Sequence, residues 1–403
     1  MTTTRSPMRP GAVTWARANL FSTWYNALLT VVFIALGILA ILAVIGWFRD
    51  ADFTIVRVNL ALFMVGRYPR AELWRVALAM LALGGGLGIA AGIIGAGARQ
   101  KAEAAGLAVR STSVRAILRR IWPLLLVVVV LLAITTTITP TLITLGAAAL
   151  FMLGYIAGRF LPLSLKTWRW LAVMLVIGDG YIYLSAVRWD QWGGLLTNVF
   201  VTILGIALAF PFGLLLALAR RSSFPAFRLL SVSYIELIRG VPLITLLLLG
   251  IYVIGFFLPE GLRPGDLTRV LIAIVAFECA YIAEVVRGGL QSVPSGQTEG
   301  AQAVGLSPLR VTQKVVLPQS LRNSIPAMVG QFISLFKDTS LLTIVGIPEL
   351  LSASGLANTQ PDFLGQELYR VTLPFVGLLF WAGSYMMSRE SRRLERRLGV
   401  GER

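Results

Sequence analysis

Residues 291–323 read QSVPSGQTEGAQAVGLSPLRVTQKVVLPQSLRN, the longest polar loop between apolar segments in the second half of the chain. Ser295 is a candidate N-cap for a short helix, because its hydroxyl can accept a hydrogen bond from the first free amides. Gly305 is suited to end that helix, since glycine adopts the left-handed conformation without a steric cost. Ser307 and Pro308 then supply an N-cap and a first helical position for a second helix. The loop therefore predicts two short helices separated by a glycine turn.

This loop can be interpreted as a docking surface for another protein or as a plain connector. Leu317 and Pro318 predict the end, because proline lacks an amide hydrogen and clashes with the preceding turn. The first helix carries the small residues Gly300, Ala301 and Ala303, which allow another protein to approach closely. On local chemistry alone, a docking loop and a plain connector between two apolar segments are equally well supported.

The rest of the chain is too apolar for an ordinary soluble protein. Its 403 residues are 57% hydrophobic and 14% charged, with a mean hydropathy of +0.78, whereas soluble proteins average about 25% charged residues. This composition excludes an ordinary soluble enzyme and a disordered protein. The single cysteine, Cys279, excludes an intrachain disulfide.

The apolar segments are of the length that crosses a bilayer, for which about 20 mostly apolar residues are needed. A single broken helix is the alternative for the third and fourth candidates, which only Pro140 separates. The ten candidate spans are 27–47, 76–97, 122–139, 141–158, 170–187, 195–219, 234–258, 270–286, 324–346 and 371–387.

The net charge of +17 indicates topology and not nucleic-acid binding, because the basic residues concentrate in alternate loops. The loops assigned to the cytoplasm hold 25 Lys and Arg against five acidic residues, and the outer loops hold nine of each kind. Cytoplasmic loops of membrane proteins carry this excess of Lys and Arg. We therefore expect an all-α, multi-pass membrane protein with both termini and the loop 291–323 in the cytoplasm, and with no nucleic-acid partner.

Charges inside the candidate spans divide the chain into unequal regions. Residues 1–190, with about five extra spans, hold one such charge, Asp179, for which a buried structural hydrogen bond is the favoured interpretation. Residues 191–390 hold the other six, and embedded charges are costly and usually face a bundle interior or a cavity. Functional chemistry is therefore expected in this second region, which precedes a basic tail at 391–403.

No pattern in the sequence indicates catalysis by this chain. It has no Gly-Lys dipeptide, so it lacks the phosphate-binding P-loop Gly-x4-Gly-Lys-Ser/Thr, and it has no histidine, the commonest general base and metal ligand. Gly84, Gly88 and Gly92 lie within one apolar span, where their spacing indicates close helix packing and not a dinucleotide loop. We expect no catalytic residue, no metal and no cofactor bound by this chain.

The loop 291–323 resembles the cytoplasmic signature of the membrane-spanning subunits of ABC importers. That signature is Glu-Ala-Ala, three residues, Gly, nine residues and Ile-x-Leu-Pro, and this chain keeps the spacing with glycine in place of the first alanine and Val315 in place of isoleucine. The resemblance implies that the signature residues contact an ATPase. They are Glu299, Gly300, Ala301, Gly305, Leu317 and Pro318.

Other segments resemble amino acid permeases in particular, and the core resemblance covers about 195–390. YIELIRGVPL at 234–243, AYIAEVVRGGL at 280–290 and FKDTSL at 336–341 look like permeases for polar amino acids. WARANLFSTWYN at 15–26 and NLALFMVGRYP at 59–69 resemble the general L-amino acid permease subunit that has extra N-terminal spans.

The resemblance implies a fold and a set of partners. The fold is the five-helix core of a type I ABC importer permease in a bacterial inner membrane. The partners are a cytoplasmic ABC ATPase dimer that holds ATP and magnesium, a second permease subunit that completes a heterodimer, an extracytoplasmic amino acid-binding protein, and an L-amino acid substrate. In the family, the signature loop forms coupling helices that sit in a groove of the ATPase.

Depth along the helices identifies candidate charges of the translocation pathway. At about 1.5 Å per residue, Glu278 lies roughly 12 Å and Lys337 roughly 13 Å from the outer ends of their spans, with Asp338 one residue shallower. Transport sites tend to lie near the membrane midplane, and an amino acid presents a carboxylate and an ammonium. We expect these three residues to line the pathway. Mutual neutralisation, or contact with the second permease, is the alternative.

A second group of charges lies nearer the cytoplasmic edge. Glu236, Arg239, Glu284 and Arg287 are within about two helical turns of it. These residues either form a salt-bridge layer that closes an inner gate or extend their charged ends into solvent. The resemblance favours a gate or pathway lining for Glu284. The mixed outer segment 48–75 is either an interfacial amphipathic helix or a receiver for the delivery protein.

Three other functions compete with the importer subunit. An ion-coupled secondary amino acid transporter would need no ATPase, and the ordered loop at 291–318 argues against it. A membrane-embedded enzyme is disfavoured because no nucleophile–base pair or metal cluster is evident. A scaffold subunit whose paralogue holds the substrate site is compatible with the sequence.

Overall fold

The computed structural model describes residues 11–104, 106, 122, 126, 128–129, 139–161, 186–188 and 191–398, and every regular element in those ranges is helical. The N-terminal helices are α1 (Ala12–Asn19), α2 (Trp24–Asp50), α3 (Thr54–Val58), α4 (Leu60–Val65), α5 (Leu73–Ala104) and α6 (Thr139–Phe160). The C-terminal helices are α7 (Gly194–Arg220), α8 (Pro225–Arg239), α9 (Leu243–Phe257), α10 (Asp266–Gln291), α11 (Ser295–Ala303), α12 (Pro308–Val311), α13 (Leu317–Asp338), α14 (Leu350–Asn358) and α15 (Tyr369–Leu398).

Helix α2 is a membrane-type helix within the compact unit that ends at Phe53. Its N-cap is Thr23, whose side chain accepts a hydrogen bond from the amide of Asn26 at 3.4 Å. None of its 27 residues is buried, and they are apolar on every side of the helix. A helix that is apolar all round is stable in lipid and not in water.

The second compact unit, Thr54–Arg403, includes a tightly packed pair formed by α5 and α6. A Cβ placed on Gly84, Gly88 or Gly92 would come within 2.5, 2.2 or 2.3 Å of a carbonyl oxygen of α6. These three glycines therefore allow backbone contact between the helices, as in small-residue packing of membrane helices. The sequence interpretation of this glycine stripe is confirmed.

The segment that contains α3 and α4 packs onto the C-terminal helices. Phe63 is fully buried, and its ring centroid lies 5.2 Å from that of Phe375 on α15. The side-chain amides of Asn59 and Gln360 exchange two hydrogen bonds of 3.1 and 2.6 Å, and Gln360 follows α14. From Thr54 onward, this part of the mixed segment 48–75 is thus an integral part of the bundle.

The C-terminal core is built around α10, which packs against α7, α8 and α13. Its buried positions recur every three or four residues, as in Ile274, Phe277 and Ala280, so one broad face of the helix is covered. Helix α13 packs in turn against α15. Loop 291–323 lies at what we call the loop end of this bundle, and Gly194, Asp266 and Asp338 lie at the opposite end.

The described helices confirm five of the ten predicted spans. Five are long and apolar enough to cross a membrane, at Trp24–Asp50, Arg70–Gly97, Thr141–Phe160, Gly194–Arg220 and Tyr369–Arg396. Helix α10 covers the predicted span 270–286, and α13 covers the predicted span 324–346 as far as Asp338, where a 3₁₀ turn follows. These two helices carry four of the six embedded charges, and α8 carries Glu236 and Arg239. Most of the predicted spans 122–139 and 170–187, including Asp179, lies outside the described residues.

The predicted span at 234–258 is interrupted and is not one straight helix. Helix α8 ends at Arg239, α9 begins at Leu243, and the two axes differ by 103°. Pro242 explains the break, because it disfavours the helical conformation of the preceding residue and removes an amide donor. Leu249–Ile254 within α9 is a π-helical segment.

Candidate functional site

The glycine turn of the predicted docking loop is present in the structure. Gly305 has φ +82°, its amide donates to Gln302 O at 2.9 Å, and the next amide, of Leu306, donates to Ala301 O at 3.2 Å. This pair of bonds is the Schellman motif, in which a left-handed glycine ends the helix. Pro308 occupies the first turn of α12 after Ser307, as predicted.

Two details of the loop were predicted wrongly. Helix α11 begins at Ser295 itself with Pro294 as its N-cap residue, so Ser295 is not the cap. Leu317 and Pro318 do not end a helix, because Thr312–Val316 is π-helical and continues directly into α13. The Leu317 amide bonds to Thr312 O, a wider turn that lets the chain pass Pro318, whose nitrogen has no hydrogen.

The surface of the loop combines small, acidic and apolar groups. Ala301 is buried, whereas Glu299 and Gly300 are exposed, and a Cβ added at Gly300 would have no neighbour within 4 Å. Val304 and Leu309 are 77% and 67% exposed and flank the glycine turn. The sequence reasoning missed these two side chains, although apolar residues in so polar a loop were a visible signal. The loop therefore presents an uncovered, partly apolar surface.

Glu278 is buried deep in the bundle with half of its carboxylate unsatisfied. It is 0% exposed, and Oε1 accepts one hydrogen bond of 3.2 Å from the side chain of Gln331 on α13. Within the described part of the chain, Oε2 has no hydrogen-bond partner. Asp338 is seven residues beyond Gln331, which places it on the same face of α13 at about 100° per residue, and it interacts electrostatically with Glu278. The two carboxylates therefore influence each other, and their place in a translocation pathway stays a prediction.

Lys337 lies on a different face of α13. Six residues separate it from Gln331, which turns its side chain by about 120° away from Glu278. It lines a groove between α13 and α15. The three charges that were expected to share a level therefore belong to two separate surfaces.

Three arginines surround Glu284 at the loop end. Arg287 donates from Nε to both carboxylate oxygens at 2.9 Å, Arg220 donates at 3.3 Å, and Arg239 Nη1 lies 3.8 Å away. Arg220 also donates to Glu236 at 3.1 Å. Sequence reasoning missed Arg220, because it is the last residue of α7 and 64 residues away from Glu284. The cluster joins the ends of α7, α8 and α10.

A second buried carboxylate, Glu349, lies at the opposite end and was also missed. It is the N-cap of α14 and accepts from the Ser352 amide at 2.6 Å, from Asn198 Nδ2 at 3.0 Å and from the Thr343 hydroxyl. Asn198 in addition donates to Thr339 at 2.9 Å. This network connects α7 with the turn after α13 and with the start of α14.

The comparisons with known proteins agree with this architecture. A family model described as a binding-protein-dependent transport system inner membrane component matches residues 209–399. The inner membrane amino-acid ABC transporter permease protein YhdY of Escherichia coli is 33% identical, and the alignment covers 97% of this chain and 94% of that protein. The chain therefore belongs to the amino acid ABC transporter permeases, and it is a multi-pass protein of the inner membrane.

Two further comparisons each cover about half of this chain. The glutamate/glutamine/aspartate/asparagine transport system permease protein BztC of Rhodobacter capsulatus is 42% identical over 216 residues, which are 53% of this chain and 49% of that protein. A crystal structure of an amino acid ABC transporter with histidines is 28% identical, covers 50% of this chain and 92% of its own, and has a TM-score of 0.44. The resemblance stated from loop 291–323 is confirmed, and the relatives are transport permeases and not enzymes.

Proposed function

We propose that this chain is the permease subunit of an ATP-driven, binding-protein-dependent amino acid importer and that the loop 291–318 couples it to a separate ATPase. The observation that carries the proposal is the uncovered surface around Gly305. Two short helices hold Val304 and Leu309 out of the bundle beside the exposed Glu299. An apolar side chain held in water at the rim of a polar loop is typical of a protein-docking contact.

The partners follow from this assignment. An ATPase dimer binds ATP and magnesium, and this chain binds no cofactor itself. A second permease subunit, most simply a paralogue, completes the pore, and an extracytoplasmic binding protein delivers the amino acid. The excess of Lys and Arg in alternate loops supports cytoplasmic termini and a cytoplasmic loop end.

The buried carboxylates and the arginine cluster have separate roles in this proposal. The Oε2 atom of Glu278 has no hydrogen-bond partner in the described structure, and together with Asp338 it offers negative charge to the ammonium group of the substrate. The cluster of Arg220, Glu236, Arg239, Glu284 and Arg287 closes the pathway at the loop end. Because it joins three helix ends, its rupture frees those helices to move apart, and ATP binding by the partner must favour one of the two states.

The coupling role is tested with a matched pair of exposed leucines. Leu309 is 67% exposed in the loop, and Leu262 is 71% exposed at the opposite end of the bundle. We expect Leu309→Asp to abolish co-purification of the ATPase and ATP-dependent uptake, and we expect Leu262→Asp to keep both. Equal ATPase co-purification and uptake in the two variants would overturn the coupling role of the loop.

A further inference from the structure

A groove of about 630 Å³ lies between α13 and α15, away from the Glu278 surface. Most of its lining is apolar, and Ile333, Phe380 and Trp381 contribute large side chains to it. Trp381 is 41% exposed, so the groove opens to the outside of the bundle. An exposed apolar surface on a membrane protein is a site for an acyl chain or for another apolar partner.

The polar side chains of the groove follow a fixed order along α15. Ser384, Ser388 and Arg392 are spaced at four residues, so they share one face of the helix and rise by about 6 Å from one to the next. Phe336, near the end of α13, lies with its ring centroid 5.4 Å from that of Phe380, in the first half of α15. Helix α13 runs away from the loop end, and α15 therefore runs toward it. The groove thus becomes more polar toward the loop end.

Arg392 belongs to a cluster of four arginines in the last turns of α15. Arg393 pairs with Glu390, whereas Arg389 and Arg392 have no ion-pair partner within 4 Å among the residues that the structure describes. Side chains on a helix lean toward its N-terminus, so Arg392 leans over the groove toward Ser388. Such clusters at the end of a membrane helix, and basic pockets between membrane helices, attract anionic lipid head groups. The four arginines are Arg389, Arg392, Arg393 and Arg396.

The hydroxyl of Ser384 is a second, independent indication of a ligand. Ser384 is only 8% exposed, it lines the groove, and its Oγ has no hydrogen-bond partner in the described structure. Buried polar atoms are paired in about 90% of cases or more. This hydroxyl can donate to an oxygen of a molecule that lies in the groove, one turn further from the loop end than Ser388.

Aromatic side chains lie where the polar part of the groove meets the apolar part. The rings of Trp381 and Tyr385 are stacked with centroids 5.3 Å apart, and Trp122 lies 5.8 and 5.3 Å from the same two rings. Trp and Tyr are enriched at the level where lipid head groups meet acyl chains. Arg392 is seven residues beyond Tyr385, about 10 Å along α15. The arginine therefore lies on the head-group side of this level.

We propose that the groove between α13 and α15 binds one anionic phospholipid with its head group at the loop end. Arg392 contacts the phosphate, and Ser388 and Ser384 donate to the ester oxygens. The acyl chain lies against Trp381 and Phe380. An apolar helix of another subunit would also cover the apolar part of the groove, but it would leave the charge of Arg392 and the hydroxyl of Ser384 without partners. The order of charge, hydroxyls and apolar surface therefore favours a lipid.

The test measures how the purified full chain retains phosphatidylglycerol and phosphatidylcholine with identical acyl chains, by native mass spectrometry. We expect wild type to retain phosphatidylglycerol preferentially. Arg392→Gln weakens that binding about fivefold, the contribution of one arginine near an anionic surface, and Arg392→Lys keeps most of it. Lys337→Gln is the matched control, because Lys337 is also an exposed cation of the groove but lies at the end of α13 opposite the loop. It binds both lipids as wild type does.

A second variant separates the groove from the surface charge of α15. Ser388→Trp fills the groove beside Arg392 and leaves every charge in place. We expect phosphatidylglycerol binding to fall at least as far as in Arg392→Gln, while the melting temperature in detergent shows that the variant is folded.

Four results would overturn the proposal. The first two are equal retention of both lipids by wild type, and the same loss in Lys337→Gln as in Arg392→Gln. The third is unchanged phosphatidylglycerol binding in folded Ser388→Trp, because the head group is then held by surface charge alone. The fourth is release of the lipid when a second permease subunit binds, because another subunit then covers the groove.

Discussion

Two carboxylates, Glu278 and Glu349, are both completely buried in this molecule, but they differ in the hydrogen bonds that they accept. Glu349 receives hydrogen bonds on both oxygens and caps the positive end of α14. Glu278 receives one bond, from Gln331, and its other oxygen has no partner in the described structure.

The difference separates a structural contact from a candidate binding site. We call Glu349 with its hydrogen-bond partners the joint, and Glu278 with Gln331 the site. A buried charge that is fully hydrogen-bonded stabilises one arrangement of the elements that bond to it. A buried charge left half-satisfied costs stability, and such a cost persists where the group is needed for something else. Glu349 therefore holds α7 and α14 together, whereas we propose that Glu278 meets a ligand.

The largest expected effect is on the joint. Glu349→Ala leaves the amide of Ser352 and the side chains of Asn198 and Thr343 without their acceptor, and each buried unpaired group costs about 1–3 kcal/mol. We expect the variant to lose most of its folded yield and to unfold at a clearly lower temperature, measured as Tm of the detergent-purified chain. A Tm equal to that of wild type would contradict the structural role.

The second expected effect is on transport without a loss of stability. Glu278→Gln keeps the shape and the bond to Gln331 but removes the charge that would meet a substrate ammonium. A hydrogen bond to a charged group is worth about 1.5–3 kcal/mol, which is tenfold or more in affinity. We expect amino acid uptake to fall by at least this factor while Tm stays level or rises. Unchanged uptake would remove Glu278 from the pathway.

The smallest expected effects come from the partners of the two carboxylates. Asn198→Ala removes one acceptor and two donor bonds from the joint, whereas Gln331→Ala removes a single bond from Glu278. We expect Asn198→Ala to lower Tm. We expect Gln331→Ala to keep Tm close to that of wild type and to change uptake more than Asn198→Ala does. A lower Tm for Gln331→Ala than for Asn198→Ala would contradict the distinction between the joint and the site.

Local chemistry and composition were enough to predict much of the fold. The structure confirms five of the apolar spans, the packing face of Gly84, Gly88 and Gly92, and the turn at Gly305. All of these depend on residues that are close in sequence. Pro318 misled the prediction because a π-helical turn accommodates a proline that would end an ordinary α-helix.

The contacts between residues far apart in sequence could not be predicted from local chemistry and composition. Glu349 meets Asn198 across 151 residues, and Arg220 meets Glu284 across 64, so no local pattern connects either pair. The depth predicted for Lys337 assumed a helix that runs to residue 346, whereas α13 ends at Asp338. The rotation that turns Lys337 onto a separate groove required the packing of α13 against α15.

The central claim is that ATP hydrolysis by a partner drives uptake through this chain. The most direct measurement is amino acid uptake into proteoliposomes that contain the complete importer and its binding protein, with ionophores collapsing every ion gradient. We expect uptake that requires ATP and that is lost with Leu309→Asp but not with Leu262→Asp. Uptake that follows a proton or sodium gradient and continues without ATP would contradict it.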